Sequence, residues 1–538
     1  MHRTLLRTLA CCAVAASFFA SLSAAEPGLR HYYPVPAANP PQTITVDVAI
    51  YGGTPGGVAT AVQTQRLGRT AALAVFRKHV GGLTSAGLTA TDLGKAKAIG
   101  GFAAEFFGRV GKWSGFRPSE AEHTFRTLLD EAGAKVFYEH RLQEVVKDGN
   151  RITALVFENG NRIEAKMFVD ATYEGDLFAK AGASYHIGRE ANAIYNETIN
   201  GVQIMKGHQF RFPVDPYKTV GDAQSGLLWG ISPEPAAAPG TGDKRIQAYN
   251  FRMWLSDAAD RLPFPKPAGY DRTRYELLLR YLKSAPEDSW KFTYATGPFQ
   301  LQKGDSNNAG PVSTDYLAGN YTWPEADHAT RERIFQDHVS YQQGMMWFMA
   351  SDEAVPPTLR ERVRGFGLTP TEFQETGGWP HELYVREGRR LVSSYVMTEH
   401  NCRSTIVPED SVGLASYTMD SHNTQRVIVD GVVRAEGNVE IAVPHPYPIS
   451  YRSVVPKEEQ CANLLVPVSL SSTHIAFGSI RMEPVFMILG QSVATAAVQA
   501  IEGGHSVQKV DYAKLRARLL ADGQILDWKA GAAAEKAP

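Results

Sequence analysis

Residues 45–57 read TVDVAIYGGTPGG, and VATAVQTQRLG follows at 58–68. A run rich in β-branched residues ends in a glycine cluster, and a segment of helical character comes next. That is strand, tight turn and helix, the opening of a βαβ dinucleotide-binding unit. Gly52 and Gly53 permit the sharp turn, and Gly57 lets the helix pack closely on the strand. The helix N-terminus then offers unpaired N–H groups and a positive dipole end to a pyrophosphate. The turn Gly52-Gly53-Thr54-Pro55-Gly56-Gly57 departs from G-x-G-x-x-G, because Thr54 holds the middle glycine position. A second departure follows the next strand, RTAALAV. It ends at Phe76, where an Asp or Glu usually takes the ribose hydroxyls. Read alone, the turn also suits a nucleotide-free α/β domain.

Working outward, MHRTLLR, LACCAVAASFFASL and SLSAA form the basic, apolar and small-residue regions of a secretory signal over 1–25, with cleavage after Ala25. The expectation is an exported, periplasmic or secreted protein with no integral membrane segment in the mature chain. Cys11 and Cys12 leave with the signal, so Cys402 and Cys461 remain, as a disulfide or as two buried thiols. The net charge of −1 gives no electrostatic case for nucleic acid. No metal-ligand spacing or GxSxG elbow occurs.

The organisation predicted from texture has a proline-rich lead-in at 26–44 and a nucleotide-binding part at 45–185. An aromatic- and loop-rich insertion fills 186–440, the nucleotide-binding part resumes at 441–528, and a disordered tail covers 529–538. A helix is expected over 118–133, stopped by Gly133. Apolar strands joined at KDGN and ENGN form a β-meander that returns to the buried strand MFVDAT. Pro484 starts a long small-residue helix that the Gly503-Gly504 pair ends.

Three further blocks join the glycine turn: KHVGGLTSAGLTATDLG (78–94), MFVDATYEGDLFAKAGASYHIGRE (167–190) and SSTHIAFGSIRMEPVFMILGQSVATAA (471–497). Together they resemble the FAD-dependent oxidoreductases with glutathione-reductase-type FAD domains, in the branch carrying GGxTSxGL and DATYEGD blocks. The segments TGGWPHELYVREGRRL, YTMDSHNTQR and PYPISYRSVVPK extend the resemblance through the middle of the chain. It implies an α/β fold: a Rossmann-like FAD-binding domain, with a parallel sheet and β-meander, plus an inserted mixed α+β substrate domain. It also implies FAD as cofactor. The 52–57 turn would hold the pyrophosphate, and Gly81, Gly82, Leu83 and Thr84 would run beside ribityl and flavin. Leu142 would offer its backbone to adenine, and Asp170, Ala171 and Thr172 would approach the pyrophosphate. Arg481, the helix from Pro484, and Gly490 and Gln491 within it would face the flavin. Thr54 matches the GGTP turn of this branch. Phe76 leaves the adenosine end to another residue, or to the other two ends of the cofactor.

Flavin oxidation of an alcohol or amine benefits from a base for the heteroatom proton. Histidine suits that task. The candidates are His474, ranked first for its place ahead of the flavin-facing helix, then His381 and His422, with His445 behind them. For any single one of them, a satisfied structural histidine is the reading that takes precedence. Arg452 is a candidate for binding an anionic or hydroxylated substrate. The function expected is hydride transfer from a small polar, sugar-like substrate, with oxygen or a carrier as acceptor. The alternatives are an FAD-containing lyase or isomerase on carbohydrate and a degenerate nucleotide-fold binding protein.

Overall fold

The computed structural model describes residues 28–294 and 296–528; residues 1–25, where a signal is expected, and the expected tail at 529–538 lie outside the described residues. Strand β1 (Thr43–Tyr51), helix α1 (Pro55–Arg66) and strand β2 (Ala71–Ala74) form the βαβ unit. Helices α2 (Gly101–Val110) and α3 (Pro118–Ala132) follow, then β3 (Lys135–Phe137). The meander is β4 (Leu142–Asp148), β5 (Arg151–Phe157) and β6 (Arg162–Asp170). Its hairpins turn at Gly149 and Gly160, both with positive φ, where Asp-Gly and Asn-Gly stand in the sequence.

The sheet order is β3-β2-β1-β6-β5-β4. β3, β2, β1 and β6 are parallel, while β5 and β4 are antiparallel to their neighbours. β1 pairs along the whole of β6, from Thr43↔Arg162 to Tyr51↔Asp170. The other edge of β6 serves β5 at its start and, at its end, a late strand described below.

Alternation along β1 divides the core. Val48 and Ile50 face the helices, while Ala49 and Tyr51 face the meander. A short helix α4 (Asp176–Lys180) follows β6, and the inserted region carries the long helix α5 (His328–Ser351). The chain then returns through β7 (Met419–Ser421) and β8 (Leu464–Leu465), which joins β6 in parallel at Phe168 and Val169. Helix α6 (His474–Ile480) leads into α7 (Glu483–Gly503), closed by Gly504 in the left-handed region. Helix α7 is long and apolar enough to cross a membrane, but 89% of its apolar window is buried inside the protein. Cys402 and Cys461 are both buried free thiols, and burial pushes the Cys402 thiol up to about 12.

α7 crosses α1 at glycine. A Cβ on Gly490 would stand 2.2 Å from the Gly56 carbonyl oxygen, and one on Gly56 would stand 2.9 Å from the Phe486 carbonyl. Thr60 Oγ1 donates to the carbonyls of both Gly56 (2.7 Å) and Gly490 (3.1 Å), pinning the crossing. Close approach of two backbones leaves no room for a methyl group. Gly490→Ala should therefore cost about 1–3 kcal/mol of stability, read by chemical denaturation, with flavin retention reduced in parallel; unchanged values would mean that the crossing relaxes freely.

Candidate active site

The glycine turn is built for close backbone approach. Gly52 has φ +119°, and a Cβ there would stand 2.5 Å from the Ala171 carbonyl carbon. Thr54 is the N-cap of α1: its hydroxyl accepts the Gly57 N–H (3.3 Å) and donates to the Ala171 carbonyl (2.7 Å). A threonine at the middle glycine position thus ties the turn to the end of β6. Pro55 brings no N–H and Gly57 is capped, so the N–H of Gly56 is the orphan donor of the first turn.

The second block meets the first directly. The Gly81 N–H donates to the Gly53 carbonyl at 2.7 Å. Gly81 and Gly82 both have positive φ, and a Cβ on Gly82 would stand 2.2 Å from the Tyr173 hydroxyl. That hydroxyl accepts the Leu83 N–H (3.0 Å) and donates to Glu483 Oε1 (2.9 Å), while Thr84 Oγ1 donates to Glu483 Oε2 (3.2 Å). Glu483 is the first residue of α7, and burial raises its carboxyl to about 8. Asp170 accepts from Thr172 N and Oγ1 and from Phe178 N, so it organises the turn into α4; burial raises it to about 6. Residues 52–57, 81–84, 170–172 and the start of α7 are therefore one cluster.

The other candidates are placed differently. The Leu142 N–H donates to the Tyr51 hydroxyl (3.2 Å). Gln491 accepts from Phe102 N–H (2.8 Å) and from Gln524 Nε2 (2.9 Å), facing α2 and the end of the chain, and Gly490 serves the helix crossing.

Arg481 opens a second cluster. Its guanidinium donates to the Tyr384 hydroxyl (2.9 Å) and to Asp420 Oδ2 (3.0 Å). Asp420 lies on β7, whose alternation puts Asp420 and His422 on one half-buried side and Ser421 on the other. His422 Nδ1 is 2.6 Å from Asp315 Oδ2, and its Nε2 is 3.6 Å from Asp420 Oδ2. Asp315 is held in turn by Arg386 (3.0 Å). Burial opposes ionisation of Asp420, yet His422 and Arg481 hold it well below the usual carboxylate range. Half-buried Asp92 lies in the same field, and burial raises it.

His474 sits behind β7. Its Nδ1 is 2.7 Å from Glu387 Oε2, its Nε2 is 2.9 Å from Ser421 Oγ, and its backbone N–H donates to Glu190. The serine–histidine–carboxylate order resembles an acyl-transfer triad, but Ser421 is 0% exposed and His474 2%, so both ring nitrogens are used by the protein. His381 stacks on His79 at 3.8 Å, and burial lowers its pKa well below the ordinary value. Arg452 pairs with Asp410 (2.9 Å), lies over Tyr395 and is half exposed, outside both clusters. His445 Nδ1 meets the Pro446 carbonyl. Sequence reasoning missed Glu483, Tyr173, Asp315 and Arg386. Strand spacing in YTMDSH was the one available signal for Asp420 beside His422.

The arrangement fits a dinucleotide on two counts. Side chains are excluded at the glycines, and buried polar atoms without partners stand at both ends of the cluster. These are Arg481 Nε, ahead of α7, at one end, and Arg141 Nε and Nη2 with His31 Nε2 beside Phe76 at the other. A wide groove of about 1030 Å³, lined by Tyr185, Ile194, Lys244 and Tyr321 among others, shares no residue with the cradle.

The Glu483 carboxyl gives the site a pH signature. Folding raises its pKa from 4.5 to about 8, so between those values the folded protein keeps a proton that the unfolded chain releases. This contribution to stability is complete below about pH 4.5 and is lost as pH rises towards 8, by up to about 1.4 kcal/mol per pH unit. Thermal denaturation of flavin-free protein at pH 5 and pH 8 should show a shallower loss for Glu483→Gln than for the wild type. Equal slopes would show that the proton is not retained.

Among solved structures, the THI4 protein of Thermovibrio ammonificans aligns at 24% identity over 29% of this chain and 71% of that one, with a TM-score of 0.23. An oxidised steroid monooxygenase bound to NADP aligns at 18% identity over 24% and 26%, with a TM-score of 0.21. L-proline dehydrogenase from P. horikoshii aligns at 22% identity over 28% and 25%, with a TM-score of 0.19. No curated protein matches in sequence. The family described as FAD dependent oxidoreductase matches residues 47–519, a span that takes in every block of the cradle and the whole insertion. The chain belongs to that family, and FAD is its cofactor.

Proposed function

We propose that the protein oxidises a hydroxyl-bearing small polar molecule, such as a sugar derivative, with His422 taking the hydroxyl proton. The observation that carries this reading is His422 between two carboxylates, one step from Arg481 and the start of α7. FAD, when bound, supplies the hydride acceptor. The protein's own residues supply the rest. Asp315 at 2.6 Å fixes the proton on His422 Nδ1, which leaves the Nε2 lone pair free, since 3.6 Å to Asp420 is too long for a hydrogen bond. When Nε2 takes the substrate proton, the imidazolium lies between Asp315 and Asp420, and both stabilise it. Arg481 holds Asp420 in position, and its unpaired Nε is available to a substrate oxygen. The N-terminus of α7 adds positive potential to the side of the site that must hold negative charge after reduction.

The sugar preference is supported by the aromatic insertion and by the signal-like residues 1–25, from which we also propose export to a periplasm or beyond. Oxygen or a soluble carrier is the proposed acceptor.

Anaerobic mixing of the yellow protein with a panel of sugars, alcohols, amines and acids tests the reading. Bleaching of the visible flavin band by a hydroxylated compound supports it, while substrate turnover with the band unchanged would favour non-redox elimination or isomerisation. His422→Ala should slow the bleaching by about 10²- to 10⁴-fold with flavin content retained. His474→Ala should instead lower stability by about 1–3 kcal/mol, because Glu387 keeps Arg390 and Gln247 but loses the hydrogen bond from His474 in a buried site. Wild-type bleaching rates in His422→Ala would remove His422 from the proton step.

A further inference from the structure

The end of β2 carries Phe76, which cannot hydrogen-bond a ribose, yet the ligand crevice of such a sheet lies outside the carboxyl ends of its strands. The space around Phe76 is taken by two residues from outside the nucleotide-binding part and by Arg141 within it. His31 stacks on Phe76 at 4.9 Å, and His328 of α5 meets it edge-on at 5.0 Å. The Arg141 guanidinium, just before β4, lies over Tyr33 (4.4 Å), Tyr32 (4.9 Å) and Phe76 (5.3 Å).

Residues 28–41 act as a strap sewn to both halves of the molecule. The N–H groups of His31 and Tyr32 donate to Glu332 Oε2 on α5 at 2.8 and 2.7 Å, and Gln336 donates to the Leu29 carbonyl at 2.8 Å. On the meander side, Tyr33 donates to Glu139 (2.6 Å) and the Ala38 N–H to the Asn159 carbonyl (2.8 Å).

Fully buried donors rarely lack partners. Here Arg141 Nε and Nη2, His31 Nε2 and His328 Nδ1 all lack one. Arg141 is 0% exposed, and its Nη1 reaches the Tyr33 carbonyl. Burial pushes the His31 and His328 imidazoles below their ordinary pKa, so each neutral ring keeps one donor and one acceptor nitrogen. Beside this group, and reaching it through His328, opens a cavity of about 530 Å³ also lined by Leu142, Glu158, Asp176 and Arg331; Arg141, His31 and Phe76 are outside its lining. That is room for a nucleoside, at the start of β4 where the chain leaves Arg141.

We infer that the adenosine diphosphate half of FAD is held here by a cationic and aromatic clamp, Arg141 and His31 over Phe76, that the N-terminal strap closes in place of a ribose-binding carboxylate. Arg141 supplies positive charge and two unpartnered N–H donors, Nε and Nη2, while the Tyr32, Tyr33 and Phe76 rings hold its guanidinium in place. His31 supplies a hydrogen-bonding nitrogen to the sugar or base. This inference rests on the FAD site and not on the proposed hydride chemistry.

FMN lacks the adenosine half, so the two flavins separate the clamp from the rest of the cradle. With flavin-stripped protein, His31→Ala and Arg141→Gln should weaken FAD binding by about tenfold or more, read by quenching of flavin fluorescence, and leave FMN binding unchanged. The holoprotein of each variant should release FAD faster on dilution. Unchanged FAD affinity, or equal losses for FAD and FMN, would overturn the clamp. Wild-type protein gives a test that needs no substitution, because Arg30 in the strap is exposed to trypsin. FAD or ADP should slow cleavage after Arg30, and FMN should not; one rate under all three conditions would also overturn it.

Discussion

The contact on which the rest depends is the crossing of α1 and α7 at Gly56 and Gly490. Two helices approach until carbonyl oxygens occupy the places of side chains, and the start of each comes to the same end of the sheet. Their dipoles then add at one place, where a pyrophosphate and a reduced flavin both require positive potential. Everything else is arranged around that convergence. Thr54 ties the turn to β6, the Gly81 N–H ties the second block to the turn, and Tyr173 and Thr84 hold the first carboxylate of α7. Burial keeps Glu483 neutral against the pull of this field, so its carboxyl leaves the positive potential uncancelled.

Much of the fold was legible because its signals are local. Glycines mark the turn, Asp-Gly and Asn-Gly mark the meander hairpins, and proline with paired glycines marks α7. Each is a backbone requirement that few residues meet. The polar cluster around Arg481 left no such mark. Its members stand at 92, 315, 386, 420 and 481, and only tertiary contacts bring them together. Nearness along the chain put His474 foremost. The two-residue alternation of β7 instead puts His422 on the side of Arg481 and leaves His474 behind the strand with Ser421 and Glu387. Phe76 was legible only as a missing carboxylate. The groups that surround it come from position 31 and position 328, which no spacing rule connects.

The buried chain behind β7 shows what the insertion contributes besides a cover. Arg390 pairs with both Glu190 and Glu387, and Glu387 also takes Gln247 and His474. Such a network is costly to desolvate but has one low-energy arrangement when every member is paired. It fixes the back of β7 rigidly and thereby the side chains on its front.

Because the cradle joins residue 52 to residue 483, it does not exist while the chain is still being made. A polypeptide that has emerged as far as β6 carries the glycine turn but neither β8 nor α7, so the start of α1 faces water and the apolar side of β1 lacks a cover. The cradle is thus complete only once α7 has packed on α1. A product cut before α7 bares the apolar surface that α7 covers, and exposed surface of that kind is what aggregation acts on.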